Sequence, residues 1–259
     1  MKAVILAGGM GTRLAEETDL IPKPMVEIGD RPILLHIMHH YAHHGITDFV
    51  IALGYKGNVI KRYMLDYHLM NQPGIRVELG TGDAKPLDHT EILDWRVDLQ
   101  ETGLHTMTAG RVRRCMPLVG DETFMLTYGD GVSDVDLTAL LEFHRSHGRL
   151  ATLTVVRAKS LYGHMEMNGD AITSFLEKPQ SLSSWINGGF MVVEPGIAEY
   201  LGHDDGISLE RGPLENLASD GELMAYHHEG FWQCMDSLRE KRLLEDLWRE
   251  GDPPWRSWG

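Results

Sequence analysis

Four short stretches of this sequence carry residues whose types and spacing suit the handling of a small anion. The first, Gly8-Gly9-Met10-Gly11-Thr12-Arg13, follows directly on the apolar run from Ala3 to Ala7. Backbone N–H groups there have little side-chain cover and can face an anion where a strand ends. Arg13 closes the loop, and Lys23 stands between Pro22 and Pro24, whose fixed φ angles give the lysine a rigid setting. Two anchored cations of this kind can neutralise a triphosphate. Asp130 sits between Gly129 and Gly131 after another apolar run, and Asp236 immediately precedes a helix-start signal. A hard cation such as Mg²⁺ takes one or two carboxylates together with phosphate oxygens. The plainer alternatives are a tight glycine turn, a solvated loop lysine and a Gly-Asp-Gly turn. Two known loops are excluded by spacing: the P-loop requires Gly-Lys-Ser/Thr, and the dinucleotide fingerprint requires glycine where Leu14 stands.

These residues need a scaffold, and the apolar pattern supplies one. Continuous apolar runs recur at Ala3 to Ala7, Phe49 to Leu53, Phe124 to Thr127, Ala151 to Val156 and Phe190 to Val193, as in strands buried on both faces of a mainly parallel sheet. Between the first two runs a helix is predicted, with Asp30 as N-cap, Pro32 in its first turn and Gly45 as terminator. A second helix, carrying Leu137, Leu140, Leu141 and His144 and stopping at Gly148, links the third run to the fourth. The expected fold class is therefore α/β, doubly wound around a mainly parallel sheet, in a single domain over 1–259. Residues 71–103 lack periodicity and are expected to form an inserted excursion of short strands. Ser237 and Glu240 make a capping box that opens a C-terminal helix, with a tail, over 237–259.

Composition narrows the function classes. With 42% hydrophobic and 24% charged residues the chain has the make-up of an ordinary globular protein. A formal net charge of −14 repels polyanions, so extended nucleic acid is not an expected partner and any phosphate ligand should be small. The apolar start of the chain is too short for a signal peptide and no run is long enough for a membrane span, so neither export nor a membrane partner is expected. Cys115 and Cys234 have no metal-like or disulfide framework around them, which fits a reducing cytoplasm.

Leu6 to Leu14, followed by Pro22-Lys23-Pro24-Met25, resembles the N-terminal signature of sugar-1-phosphate nucleotidyltransferases. The resemblance continues through Thr102-Gly103, Met107 to Arg111, Thr127 to Gly131, Phe175 to Pro179, Ile186 to Phe190 and Gly230 to Asp236. In that order these blocks are similar to those of the glucose-1-phosphate cytidylyltransferases and cover nearly the whole chain. Ala109 replaces a glycine of the pattern, Cys234 replaces a proline, and Tyr162 to Met167 replaces a more apolar segment.

The resemblance implies a Rossmann-like nucleotidyltransferase fold and transfer of CMP from CTP to a glucose 1-phosphate oxygen, giving CDP-glucose and pyrophosphate with Mg²⁺ as cofactor. Arg13, Lys23 and Asp130 are the expected catalytic residues, and Asp130 with Asp236 the expected metal ligands. Leu6, Ala7, Gly8, Gly9, Met10, Gly11, Thr12, Arg13, Lys23, Gly103, Thr106, Arg111, Tyr128 and Gly129 are expected around the nucleotide. Arg111 is the candidate donor to cytosine, whose O2 and N3 are acceptors, and contact with phosphate or solvent is its alternative. Glu177, Lys178, Asn187 and Gly188 are expected around the sugar phosphate, and a homo-oligomer is implied.

Other readings stay open. The same reaction with UTP or dTTP, or with another sugar 1-phosphate, fits the same residues, and so does a silent nucleotide-sensing module. A nicotinamide-dependent oxidoreductase is disfavoured by Leu14. The histidines His36, His39, His40, His43 and His44 have i,i+4 spacing on a helix, but without a glutamate motif they are expected on a solvated face rather than around a metal. Trp248, Trp255 and Trp258 are expected to pack the C-terminal tail.

Overall fold

The computed structural model describes residues 1–87, 93–157, 164–168, 171–176 and 184–258; for Arg13, Ala15, Glu16, 164–168, Ile172 and 174–176 it describes the main chain alone. In chain order the elements are β1 (Ala3–Leu6), α1 (Ala15–Thr18), β2 (Glu27–Ile28), β3 (Arg31–Pro32), α2 (Ile33–His43), β4 (Asp48–Leu53), α3 (Gly57–Met70), β5 (Ile75–Glu78) and β6 (Asp83–Pro86). Then come β7 (Arg96–Glu101), α4 (Thr108–Val119), β8 (Phe124–Tyr128), β9 (Gly131–Ser133), α5 (Leu137–His147), β10 (Ala151–Arg157), β11 (His164–Asn168) and β12 (Ala171–Leu176). The chain closes with β13 (Trp185–Val193), α6 (Glu215–Ser219), β14 (Leu223–His228), β15 (Trp232–Cys234) and α7 (Leu238–Arg249).

Seven strands form the central sheet in the order β14-β10-β13-β8-β1-β4-β7. β1 pairs in parallel with β4 and β8, β4 with β7, and β10 with β14, whereas β13 runs antiparallel to both neighbours. The sheet is thus mainly parallel, as expected, but the Phe190 to Val193 run lies on its one reversed strand. β13 also separates β8 from β10, so the second crossover skips a position. Two cores flank the sheet. One lies under α2 and α5 and includes Ile5, Phe49, Leu140 and Trp255, and the other lies under α4 and includes Val4, Val112 and Leu126.

Three local expectations are corrected. The chain remains extended through Pro32 (φ −57°, ψ 144°), because Arg31–Pro32 pairs with Glu27–Ile28 and the Ile33 N–H donates to the Val26 carbonyl. Asp30 therefore lies in the turn of that small ladder and is not the cap of α2. In the 71–103 stretch the short hairpin β5/β6 is the expected excursion, but β7 belongs to the main sheet, beside β4. The histidines of α2 are not all solvated: His43 is exposed and His39 and, just past the helix end, His44 are half-buried, but His36 and His40 are 0% and 3% exposed. The Trp255 indole N–H donates to His36 Nδ1 and His36 Nε2 donates to the Ile28 carbonyl, so His36 is a neutral core residue that anchors the tail. Trp248 and Trp258 pack edgewise and obliquely on the same ring.

The helix ends follow the sequence more closely. Asp136 caps α5 by accepting from the Thr138 and Ala139 N–H groups, and Gly148 ends it at φ 64°. Ser237 caps α7, while the Glu240 carboxylate accepts from the Asp236 N–H at 2.7 Å. This reciprocal box fixes the backbone of Asp236.

Candidate active site

The carboxyl ends of β1 and β8 open onto a cavity of about 490 Å³. Of the residues expected around a nucleotide, Leu6, Ala7, Gly8, Gly9, Met10, Gly11, Thr12, Lys23, Thr106, Arg111, Tyr128 and Gly129 line it, joined by Asp130 and Asp236. Gly103 lies behind the wall, where its carbonyl accepts from Arg111. The Arg13 side chain, Glu177 and Lys178 lie outside the described residues. Sequence reasoning left out Leu104, His105, Met107 and Thr108, which complete the wall between β7 and α4. Met107 and Thr108 stand inside a quoted motif, which was the available signal.

The two carboxylates come together because β9 pairs with β15, matching Gly131 with Cys234, while the Met235 N–H donates to the Asp130 carbonyl. Lys23, held in a short 3₁₀ turn at the first proline pair, places its ammonium 2.5 Å from Asp130 Oδ2 and 2.5 Å from Asp236 Oδ1. Burial alone would pull the Lys23 pKa down, but the charges and hydrogen bonds of Asp130 and Asp236 hold it above its ordinary value. Two carboxylates converging on one cationic atom at the edge of this cavity form an oxygen donor set that fits a hard divalent ion.

Arg111 is 4% exposed and does not simply reach into the cavity. Its Nη1 donates to the Leu53 carbonyl, the Thr102 hydroxyl and the Gly103 carbonyl, and its Nη2 to the carbonyls of Gly8 and Leu104. The expected base donor thus has its Nη groups committed to protein oxygens, where it ties the glycine loop to the ends of β4 and β7. Gly8 is required by this approach, since a methyl group there would lie 2.1 Å from Arg111 Nη1. The neighbouring Arg114 donates to the Thr106 hydroxyl at 2.8 Å and pairs with Asp205 at 2.5 Å, steadying the loop before α4.

A second, smaller cavity of about 30 Å³ adjoins the first, lined by Tyr128, Asp130, Gly131, Asn187, Gly188 and Trp232 among others. Asn187 and Gly188 thus share the lining of this cavity with Asp130. The Trp232 indole donates to the Gly188 carbonyl at 2.7 Å. Glu210, for which the sequence offered no signal, accepts from the Tyr128 hydroxyl at 2.5 Å. Burial and the Glu210 charge both raise the Tyr128 pKa.

Comparison with known proteins places this geometry in context. Residues 2–232 match the family described as Nucleotidyl transferase. The chain is 47% identical over 259 residues, the full length of both chains, to a glucose-1-phosphate cytidylyltransferase of Salmonella typhimurium and equally to one of Salmonella typhi. In three dimensions it is similar to a UDP-glucose pyrophosphorylase from Acinetobacter baumanii, with a TM-score of 0.70, 18% identity and coverage of 98% of this chain and 95% of that one.

Proposed function

Because the chain belongs to the nucleotidyl transferase family, we propose that it transfers CMP from CTP to α-D-glucose 1-phosphate, releasing pyrophosphate and CDP-glucose. The observation that carries this reading is the Lys23 ammonium set between Asp130 and Asp236 at the mouth of a glycine-lined cavity. The full-length likeness to the two Salmonella enzymes supports the choice of CTP and glucose 1-phosphate.

A phosphate oxygen of the sugar 1-phosphate forms a bond to the α-phosphorus of CTP while the α–β phosphoanhydride bond breaks and pyrophosphate leaves. The attacking oxygen is already anionic near neutral pH, so the protein's task is to align two anions and offset charge in the transition state. The main-chain N–H groups of Gly8 to Thr12 face the triphosphate, and Lys23, together with Arg13, neutralises it. Asn187 and Gly188 hold sugar hydroxyls, and the family resemblance assigns Glu177 and Lys178 to the sugar phosphate. The family works with a divalent metal ion; here Asp130 and Asp236 would hold Mg²⁺, which when bound offsets phosphate charge. Arg111 fixes the wall around Gly8, Gly103 and Leu104 against which the cytosine rests.

No helix among the described residues is long and apolar enough to cross a membrane, and a cytoplasmic homo-oligomer fits this chemistry.

Purified protein incubated with glucose 1-phosphate, Mg²⁺ and each NTP in turn is expected to release pyrophosphate with CTP. Release with UTP or dTTP but not CTP would overturn the base assignment. Nucleotide binding without release from any pair would favour a silent sensing module.

A further inference from the structure

Beside the nucleotide cavity a chain of hydrogen bonds runs from the start of α4 to β13, and its donors all point toward one carboxylate. On one side the Leu209 N–H donates to the Thr108 hydroxyl at 2.6 Å, and that hydroxyl donates to Glu210 Oε2 at 3.2 Å. On the other, the Gly189 N–H donates to Asn187 Oδ1 at 2.8 Å, and Asn187 Nδ2 donates to the Tyr128 hydroxyl oxygen at 3.2 Å. The Tyr128 hydroxyl then donates to Glu210 Oε1 at 2.5 Å. The outer ends of the chain are backbone N–H groups, which can only donate, and the Glu210 carboxylate at its centre can only accept, so every link runs from outside inwards. Glu210 accepts from both branches, a role open to an ionised carboxylate and closed to an amide, which has one accepting atom.

This polarity reaches the smaller cavity through Asn187. With one amide hydrogen given to Tyr128 and the amide orientation set by Gly189, the second hydrogen on Nδ2 is the donor Asn187 has left to offer a ligand there. We propose that Glu210 is a positioning residue for the sugar 1-phosphate: it orients Tyr128, and through it Asn187, so that an N–H donor meets a sugar hydroxyl oxygen beside Asp130. The proposal rests on the nucleotidyl-transfer reading. In a Glu210→Gln variant one branch must reverse. If it is the Tyr128 branch, the phenol oxygen accepts from both neighbours, its own hydrogen loses its acceptor, and the Tyr128 ring and the Asn187 amide bound to it are no longer held in place.

The test is steady-state kinetics of wild type, Glu210→Gln, Tyr128→Phe and the double variant, using the nucleotide and sugar 1-phosphate pair that wild type turns over best. Glu210→Gln is expected to raise KM for the sugar 1-phosphate about tenfold and KM for the nucleotide less than about twofold. The double variant is expected to be no worse than the poorer single one, because both substitutions break the same relay. Equal rises in both KM values together with a lowered Tm, an unchanged sugar KM, or additive losses would each overturn the proposal. Because the pair is chosen by wild-type turnover, a wild type that prefers a different nucleotide or sugar overturns the CTP and glucose reading while leaving the Glu210 comparison intact.

Discussion

One guanidinium holds three segments of the site together. Arg111 donates to oxygens of the first glycine loop, of the end of β4 and of the stretch after β7. A lysine at this position has one ammonium and cannot span them. Arg111→Lys is therefore expected to leave buried carbonyls unpaired at a cost of about 2 kcal/mol, lowering Tm by about 4–8 °C. It should also raise KM for the nucleotide about tenfold, because the cavity wall loosens. Thermal melts and CTP titrations check both, and an unchanged melt would show that the clamp carries no stability. Lys23, Asp130 and Asp236 were legible in the sequence because prolines, glycines or a capping box mark the backbone on either side of them. Arg111's task and Glu210 were not legible, because their partners lie far along the chain: Arg111 is 103 residues from Gly8 and Glu210 is 82 from Tyr128.

At the level of elements, α2 is held by His36 and His40 rather than wetted through them. Burial pushes His36 down to about 4 and His40 down to about 3, with the charge of His44 adding to the effect at His40. In His39, burial and then the nearby Arg31 lower the pKa to about 4. These folded-state values lie below the unfolded value of 6.5, so between pH 6.5 and about 4 the unfolded chain binds more protons than the folded one. Stability is complete above that window and falls as pH drops through it, by about 1.4 kcal/mol per pH unit for each of the buried His36 and His40. Chemical denaturation at a series of pH values is expected to show this loss, with a shallower slope in a His36→Asn, His40→Asn variant. An identical slope would mean that other groups govern acid sensitivity. The central strands were readable because burial on both faces makes them continuously apolar. The edge strands β7 and β14 were not, because alternating exposure admits Arg96, Asp98, His227 and similar residues.

Across the whole molecule, the hairpin β5/β6 stands apart from the main sheet with its side chains largely in solvent. Leu79 and Leu65 are 93% and 79% exposed, and Val77, Leu87 and Met70 are exposed as well. A lone two-stranded hairpin gains stability when its face is covered. In the proposed homo-oligomer this region is expected to meet another copy, and a Val77→Asp, Leu79→Asp variant should shift the mass measured by light scattering toward the monomer. A monomeric wild type, or a variant with unchanged mass, would rule out that assembly. The alternation of apolar runs and helices revealed the α/β plan, whereas nothing in the sequence distinguished an exposed apolar strand from a buried one. The Lys23 ammonium between Asp130 and Asp236 has a further effect in the proposed reaction. A divalent cation arriving alone would have to evict a counterion tethered to the chain, which cannot diffuse away. A cation escorted by a triphosphate would bring the anion that rehouses that ammonium, so metal uptake in a Mn²⁺ titration should be weak until nucleotide is added, and the two charged guests would be loaded as a single parcel.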